Sequence, residues 1–272
     1  MPTEPEAWRD EPRSTRRPGA AQTPRRRGFG TTAALVAAIF GGIGLVVSLT
    51  GLAIQLLPRH FSAAQQRQIM AWEVSKRWRT LPAGDIFPAS VHYDLSAGAL
   101  FDLTDVSLQA ARVGIAPQAS CDAATDPAAA RVLNAHGCQA VLRATYTDES
   151  ATYVVTVGVA VLGSAGQASA AAAALSQGGG VARPGLESAA FAGTPAGSFG
   201  NGQRQVTASK AAGPYVIMYA AGYADGRPQV NIAEDKYART EMTTAAHGVQ
   251  ASVASTLAKP PPRPHCPGTP GC

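Results

Sequence analysis

The apolar and polar positions fall into one dominant uninterrupted stretch followed by a series of short periodic ones. Thr31 to Leu57 (TTAALVAAIFGGIGLVVSLTGLAIQLL) is uncharged, and no charge lies between Arg27 and Arg59. As a helix rising about 1.5 Å per residue it is about 40 Å long, more than the roughly 30 Å hydrocarbon core of a bilayer, so the stretch predicts a transmembrane helix. A polar pattern resumes at Ser62, where SAAQQRQIMAWEVSKRWRTL predicts a helix capped by Ser62. Ile69, Trp72 and Lys76 share one side of it, with Met70, Val74 and Trp78 close by. The two tryptophans suit either the headgroup level of a membrane or packing onto the domain beyond. Leu81-Pro82-Ala83-Gly84-Asp85 breaks the helix.

Further on, Ile86 to Tyr93 reads as a short strand that Pro88 confines to an edge or a strand start. Asp105 to Val113 reads as a short helix, with Val106, Ala110 and Val113 on one face and Gly114 ending it. Asp126-Pro127 opens another helix, Asp126 to His136, by a cap followed by proline at the first helical position. The clearest β pattern is Gln139 to Tyr146 and Tyr153 to Val161 about the polar turn Thr147 to Ser150, an antiparallel hairpin. Tyr153, Val155, Val157, Val159 and Val161 share one face by the two-residue period, whereas Val154, Thr156, Gly158 and Ala160 make the other face small enough for a close helix. Gln167 to Leu175, rich in alanine, supplies that helix. A Gly/Pro/Ser-rich loop from Gly178 to Gly202 follows. Gln205 to Ser209 and Tyr215 to Tyr223 then pair around Ala212-Gly213-Pro214, and Ala238 to Leu257 forms a last helix with Val249, Val253 and Leu257 four apart.

These elements predict an α+β fold: an antiparallel sheet of hairpins packed with helices, preceded by one transmembrane helix. The order hairpin, helix, hairpin, helix suggests a duplication at the level of topology. The predicted organisation is a disordered basic tail over residues 1–30, the membrane helix over 31–57, a membrane-proximal helix and linker over 58–85, the α+β domain over 86–258 and a Pro/Gly/Cys tail over 259–272.

Charge orients this arrangement. Of the net +5, the segment before the apolar run holds seven arginines against four acidic residues, and the part after it sixteen basic against fourteen acidic. Arg25, Arg26 and Arg27 abut the run and place the N-terminus in the cytoplasm and the C-terminus outside it. Membrane lipid is thus the expected partner of the basic flank, and the absence of a basic stripe in the outer part excludes nucleic acid. Arg26-Arg27-Gly28-Phe29 resembles part of a twin-arginine export signal. Gly41, Gly42, Gly44 and Ser48 give the membrane helix small-residue spacing that suits a homodimer.

All four cysteines follow the apolar run, on the oxidising side. Cys121 and Cys138 bracket the Asp126 to His136 helix and are expected to bond to each other, with Cys266 and Cys272 pairing in the tail. A metal site of His265 with the tail cysteines lacks a fourth ligand and the usual spacing, so neither metal nor cofactor is expected. No catalytic residues are assigned. Ala196-Gly197-Ser198-Phe199-Gly200 departs from a nucleophile elbow at Ala196, and the five histidines show no metalloprotease spacing. In the long loop, Leu186, Phe191 and Phe199 are apolar groups that a spacer does not need. They either plug into the domain or form a partner-facing patch.

The alanine-, glycine- and arginine-rich style and single anchor resemble exported or membrane-anchored proteins of actinomycetes. From Gln139 to Leu257 the element order is similar to the small α+β domains of the Mog1/PsbP-like lipoprotein group, although no lipobox cysteine follows the apolar run. The resemblance implies a binding or assembly module with no catalytic residues to carry over. The expected function is a single-pass membrane protein with a non-catalytic extracytoplasmic domain for a cell-envelope protein or glycan. The alternatives are a membrane-tethered hydrolase using Ser198 and a transmembrane sensor.

Overall fold

The computed structural model describes residues 61–95, 106–177, 185–230 and 236–261, together with Ser48. The chain divides into two units, the first Met1–Pro58 and the second running from Arg59 to Pro270. Of the first unit only Ser48 is described, and it is helical. The predicted membrane helix, Arg25 to Arg27, and the tail pair Cys266 and Cys272 therefore lie outside the described residues. Among the described residues no helix is long and apolar enough to cross a membrane.

The second unit is α+β, built on a six-stranded sheet in the order β1-β2-β3-β4-β6-β5, with every neighbouring pair antiparallel. The strands are β1 Ser90–Leu95, β2 Val106–Ala119, β3 Ala140–Asp148, β4 Tyr153–Val161, β5 Arg204–Ala212 and β6 Tyr215–Tyr223. The helices are α1 Ala63–Thr80, the single turns α2 Ala83–Ile86 and α3 Cys121–Ala124, α4 Pro127–Ala135, α5 Ala165–Ser176 and α6 Lys236–Ala258. Sequence-adjacent strands pair four times (β1 with β2, β2 with β3, β3 with β4, β5 with β6), and helical structure follows β2, β4 and β6.

One sheet face is covered by α6. Tyr153, Val155, Val157, Val159 and Val161 of β4 and Tyr215, Ile217 and Tyr219 of β6 form one cluster with Met242, Val249, Val253 and Leu257. Fully burying an aliphatic or aromatic side chain contributes about 1.5–3 kcal/mol, so this layer dominates the fold. α1 joins the same cluster through Val74 and Trp78. It starts with a capping box, in which Gln65 N–H donates to Ser62 Oγ and Ser62 N–H donates to Gln65 Oε1. Trp72, on the other side of α1, is 49% exposed.

The opposite face is covered by α3, α4, α5 and the segment 185–200. α5 buries Ala168, Ala171, Ala172 and Leu175 at helical spacing. It lies over β5 and β6, and its buried residues share a cluster with Ala160 of β4. The small face of β4 is shared with the segment 185–200, which the predicted close helix did not anticipate.

Two further expectations are corrected. Asp105 to Val113 is no helix: Val106–Ala119 is a strand. The apolar spacing of Val106, Ala110 and Val113 fits a helix, but Val106, Leu108 and Ala110 also alternate, and pairing with β1 and β3 decides between the two periods. Gly114 does not terminate a helix; it sits at a register shift between β2 and β3, where a bulge bends the strand. Ile86 belongs to a helical turn, and the strand predicted from Ile86 begins only at Ser90, beyond Pro88.

Candidate functional site

Three glycines of the sheet seat the three apolar side chains of the long loop. A β-carbon on Gly158 of β4 would overlap Leu186, one on Gly114 of β2 would overlap the ring of Phe191, and one on Gly222 of β6 would overlap the ring of Phe199. Leu186 and Phe199 have no exposed surface, and Phe191 is half-buried. The side chains named for a partner-facing loop are thus placed against the sheet at Leu186 and Phe199. Missing side chains on the strands admit side chains from the loop.

Polar contacts fix the same segment. The Arg204 guanidinium donates to both carboxylate oxygens of Asp126, at 3.1 and 3.0 Å, and to the Leu186 carbonyl at 2.8 Å. Gly185 N–H donates to Asp126 Oδ2 at 2.9 Å. Asp126 is the residue before α4, but its side chain makes no cap hydrogen bond. The predicted cap is instead a clamp holding the loop between α4 and β5. Ala189 is fixed at both ends, its N–H donating to Thr156 Oγ1 and its carbonyl accepting from Thr145 Oγ1. Arg143 donates to the Glu187 carbonyl at 3.2 Å, and its burial lowers the guanidinium pKa against the opposing pull of Glu187.

Cys121 and Cys138 form a disulfide that closes the segment carrying α3 and α4. Ser198 is exposed in a turn of the loop, and Ala196, in the position where an elbow requires glycine, is buried. His92 is exposed on β1, His136 ends α4, and the His247 ring stands edge-on to Tyr219 at 5.5 Å. Among the described residues no group of three or more histidine, cysteine, aspartate or glutamate side chains is placed to hold a metal ion.

Among the described residues, two concave surfaces lie at the β1 end and meet at Tyr93. On one side, a groove of about 800 Å³ runs between β1 and α6, lined by Ser90, His92, Thr244, Ala251 and Ser255 among others. Gly248 of α6 packs close against β1 here, where a β-carbon would strike Tyr93. On the other side, a cleft of about 240 Å³ is lined by Tyr93, Leu108, Asp148, Glu149, Tyr153 and Glu241.

The Tyr153 hydroxyl donates to Glu241 Oε2 at 2.8 Å, tying β4 to α6, and Tyr153 N–H donates to Asp148 Oδ1 at 2.6 Å. Burial first, and then the nearby Asp148, Glu149 and Glu241 carboxylates, push the Tyr93 hydroxyl up to about 12. Burial and the hydrogen bond to Glu241 raise Tyr153 as well. The cleft therefore presents carboxylate acceptors beside two phenols held in their neutral form. The Tyr153 ring lies 5.8 Å from that of Tyr223, over which the Arg227 guanidinium stacks at 4.3 Å.

Neither concave surface was legible as a site in the sequence. Tyr153 and Glu241 are 88 residues apart, and no local spacing links a strand face to a helix that returns so late in the chain. Compared with known proteins, the chain matches no family model, no curated protein and no solved structure.

Proposed function

We propose that the chain is a single-pass membrane protein whose α+β domain lies outside the cytoplasm and associates with another component of the cell envelope without performing catalysis. The orientation rests on the apolar run Thr31 to Leu57 and on Arg25, Arg26 and Arg27 before it. The Cys121–Cys138 disulfide supports an oxidising compartment for the domain.

The observation that carries the binding role is the placement of open concave surface. The segment 185–200 fills the notches of one sheet face and α6 covers the other, while the groove and cleft around Tyr93 stay open beside them. A photo-crosslinking residue at Gln109, in the cleft wall, tests this in intact cells. Adducts with an envelope protein or glycan that vanish when the same residue is placed at exposed Arg131 on α4 are the expected result. Equal labelling from both positions would remove the assignment.

A further inference from the structure

The sheet ends differently at its two edges. At β5 the edge is interrupted and its start is covered: the register with β6 shifts between Arg204 and Val206, Lys210 is exposed, and the chain at 228–230 is bonded to Gln205. There the Gln205 amide donates to the Pro228 carbonyl, and Val230 N–H donates to Gln205 Oε1. A bulge, a lysine and a covering segment are ways of blunting a strand edge. β1, the other edge, has a regular six-residue register with β2 and contains no proline, lysine or bulge.

The direction of its free backbone groups follows from one hydrogen bond. Arg112 N–H donates to the Ala89 carbonyl at 2.9 Å, and by the β1–β2 register these residues stand opposite each other. In an antiparallel ladder, bonded and non-bonded pairs alternate. Val91 and Tyr93 therefore bond to β2, and Ser90, His92 and Asp94 turn their N–H and C=O groups toward the open edge. Among the described residues, no backbone hydrogen bond outside the ladder reaches those three. Their side chains are exposed, while those of Val91 and Tyr93 are buried.

We infer that β1 is a self-association edge, on which β1 of a second copy of this chain pairs antiparallel to continue the sheet. The occupant is identified by the strand's own sequence. An antiparallel two-fold pair with Tyr93 on the axis sets His92 of each copy opposite Asp94 of the other, giving two imidazole–carboxylate pairs. Shifting to place His92 on the axis sets imidazole against imidazole and leaves each aspartate facing Ser90. Opposite charges or hydrogen-bonding groups directly across a pair stabilise it, and like groups oppose it, so the strand carries its own register. The operator is an isologous two-fold, which brings both α6 helices to the same side of the joined sheet. The groove beside β1 is lined from α6 by Thr244, Ala251 and Ser255, side chains small enough for close approach.

The test is the molar mass of the full-length chain in detergent micelles, measured by light scattering over a range of concentrations, for wild type, His92→Asp, Asp94→His and the double exchange. Dimerisation of the wild type, loss of affinity by about tenfold or more in each single variant, and recovery in the double variant are expected, because each single exchange replaces both imidazole–carboxylate pairs with like groups and the double exchange restores them in reverse. Both positions are exposed, and unchanged melting temperatures verify that the variants fold. A monomeric wild type overturns the inference, and so does a dimer indifferent to the single exchanges or a double exchange that fails to recover.

Discussion

Gly158 on β4 and Leu186 on the loop occupy a single space: the hydrogen of the one leaves the volume that the isobutyl group of the other fills. The notch couples two segments distant in sequence, and it makes the small face of β4 a socket. Gly158→Ala is expected to destabilise the domain by about 1–3 kcal/mol through overpacking, and Leu186→Ala by about 2–5 kcal/mol through the cavity it leaves. The double variant should cost less than the sum, since the new methyl takes up part of the vacated volume. Urea unfolding midpoints of the four proteins measure this; strict additivity would mean that the two groups do not share the site.

The Asp126–Arg204 clamp holds the same segment by charge. Replacing Arg204 with methionine keeps the stem but leaves the half-buried Asp126 carboxylate with only the Gly185 N–H. A loss of about 1.5–3 kcal/mol is expected, the range for hydrogen bonds to charged groups. Amide exchange should speed up at Gly185 and Glu187 before it does in β4, because those amides are held where the loop meets α3 and α4.

The disulfide closes a segment of 17 residues. In the chain-entropy model such a loop is worth about 3 kcal/mol. Reduction, or the Cys121→Ser and Cys138→Ser pair, should lower the stability of the domain by roughly that amount. Non-reducing peptide mapping should recover Cys121 and Cys138 in one cross-linked fragment.

Alkaline pH probes the buried phenols. Tyr93 and Tyr215 are both pushed up to about 12, in each case mainly by burial, from the ordinary tyrosine value of 10.0. For an acid whose folded pKa is raised, the protonated form belongs to the native state. Its contribution is fully present below pH 10.0 and is lost as pH rises toward 12. Stability should therefore be flat through neutrality and fall between these limits. Tyrosinate absorbance should lag behind that of a denatured control until the domain unfolds. Tyr153→Phe, which removes the donor to Glu241, should reduce that lag.

The most legible parts of this fold were those decided by local pattern. The hairpin Tyr153 to Val161 with its partner, the second pair around Gly213, the cap at Ser62, and the spacing of Val249, Val253 and Leu257 all follow from periods of two or four and from turn and cap chemistry. Gly213, at φ +56°, has the left-handed backbone that its tight turn requires. The misread strand β2 shows the limit of that reasoning: its apolar residues satisfy both periods, and only pairing with two distant strands selects one. Asp126 stands where a helix cap should be, yet its carboxylate is taken by Arg204, 78 residues later. The same separation hides the surfaces at Tyr93, where β1 and α6 meet only after the whole sheet has formed between them. The edge parity of β1 likewise depends on its partner, since SVHYDL alone does not say which residues face outward.

The most direct test of the proposed placement is a pair of reporters fused after Cys272, one active only after export and one only in the cytoplasm. The arginine asymmetry and the disulfide predict activity of the exported reporter alone, with Cys121 and Cys138 bonded in the fusion protein. Activity of the cytoplasmic reporter alone, with both cysteines free, would contradict the extracytoplasmic assignment.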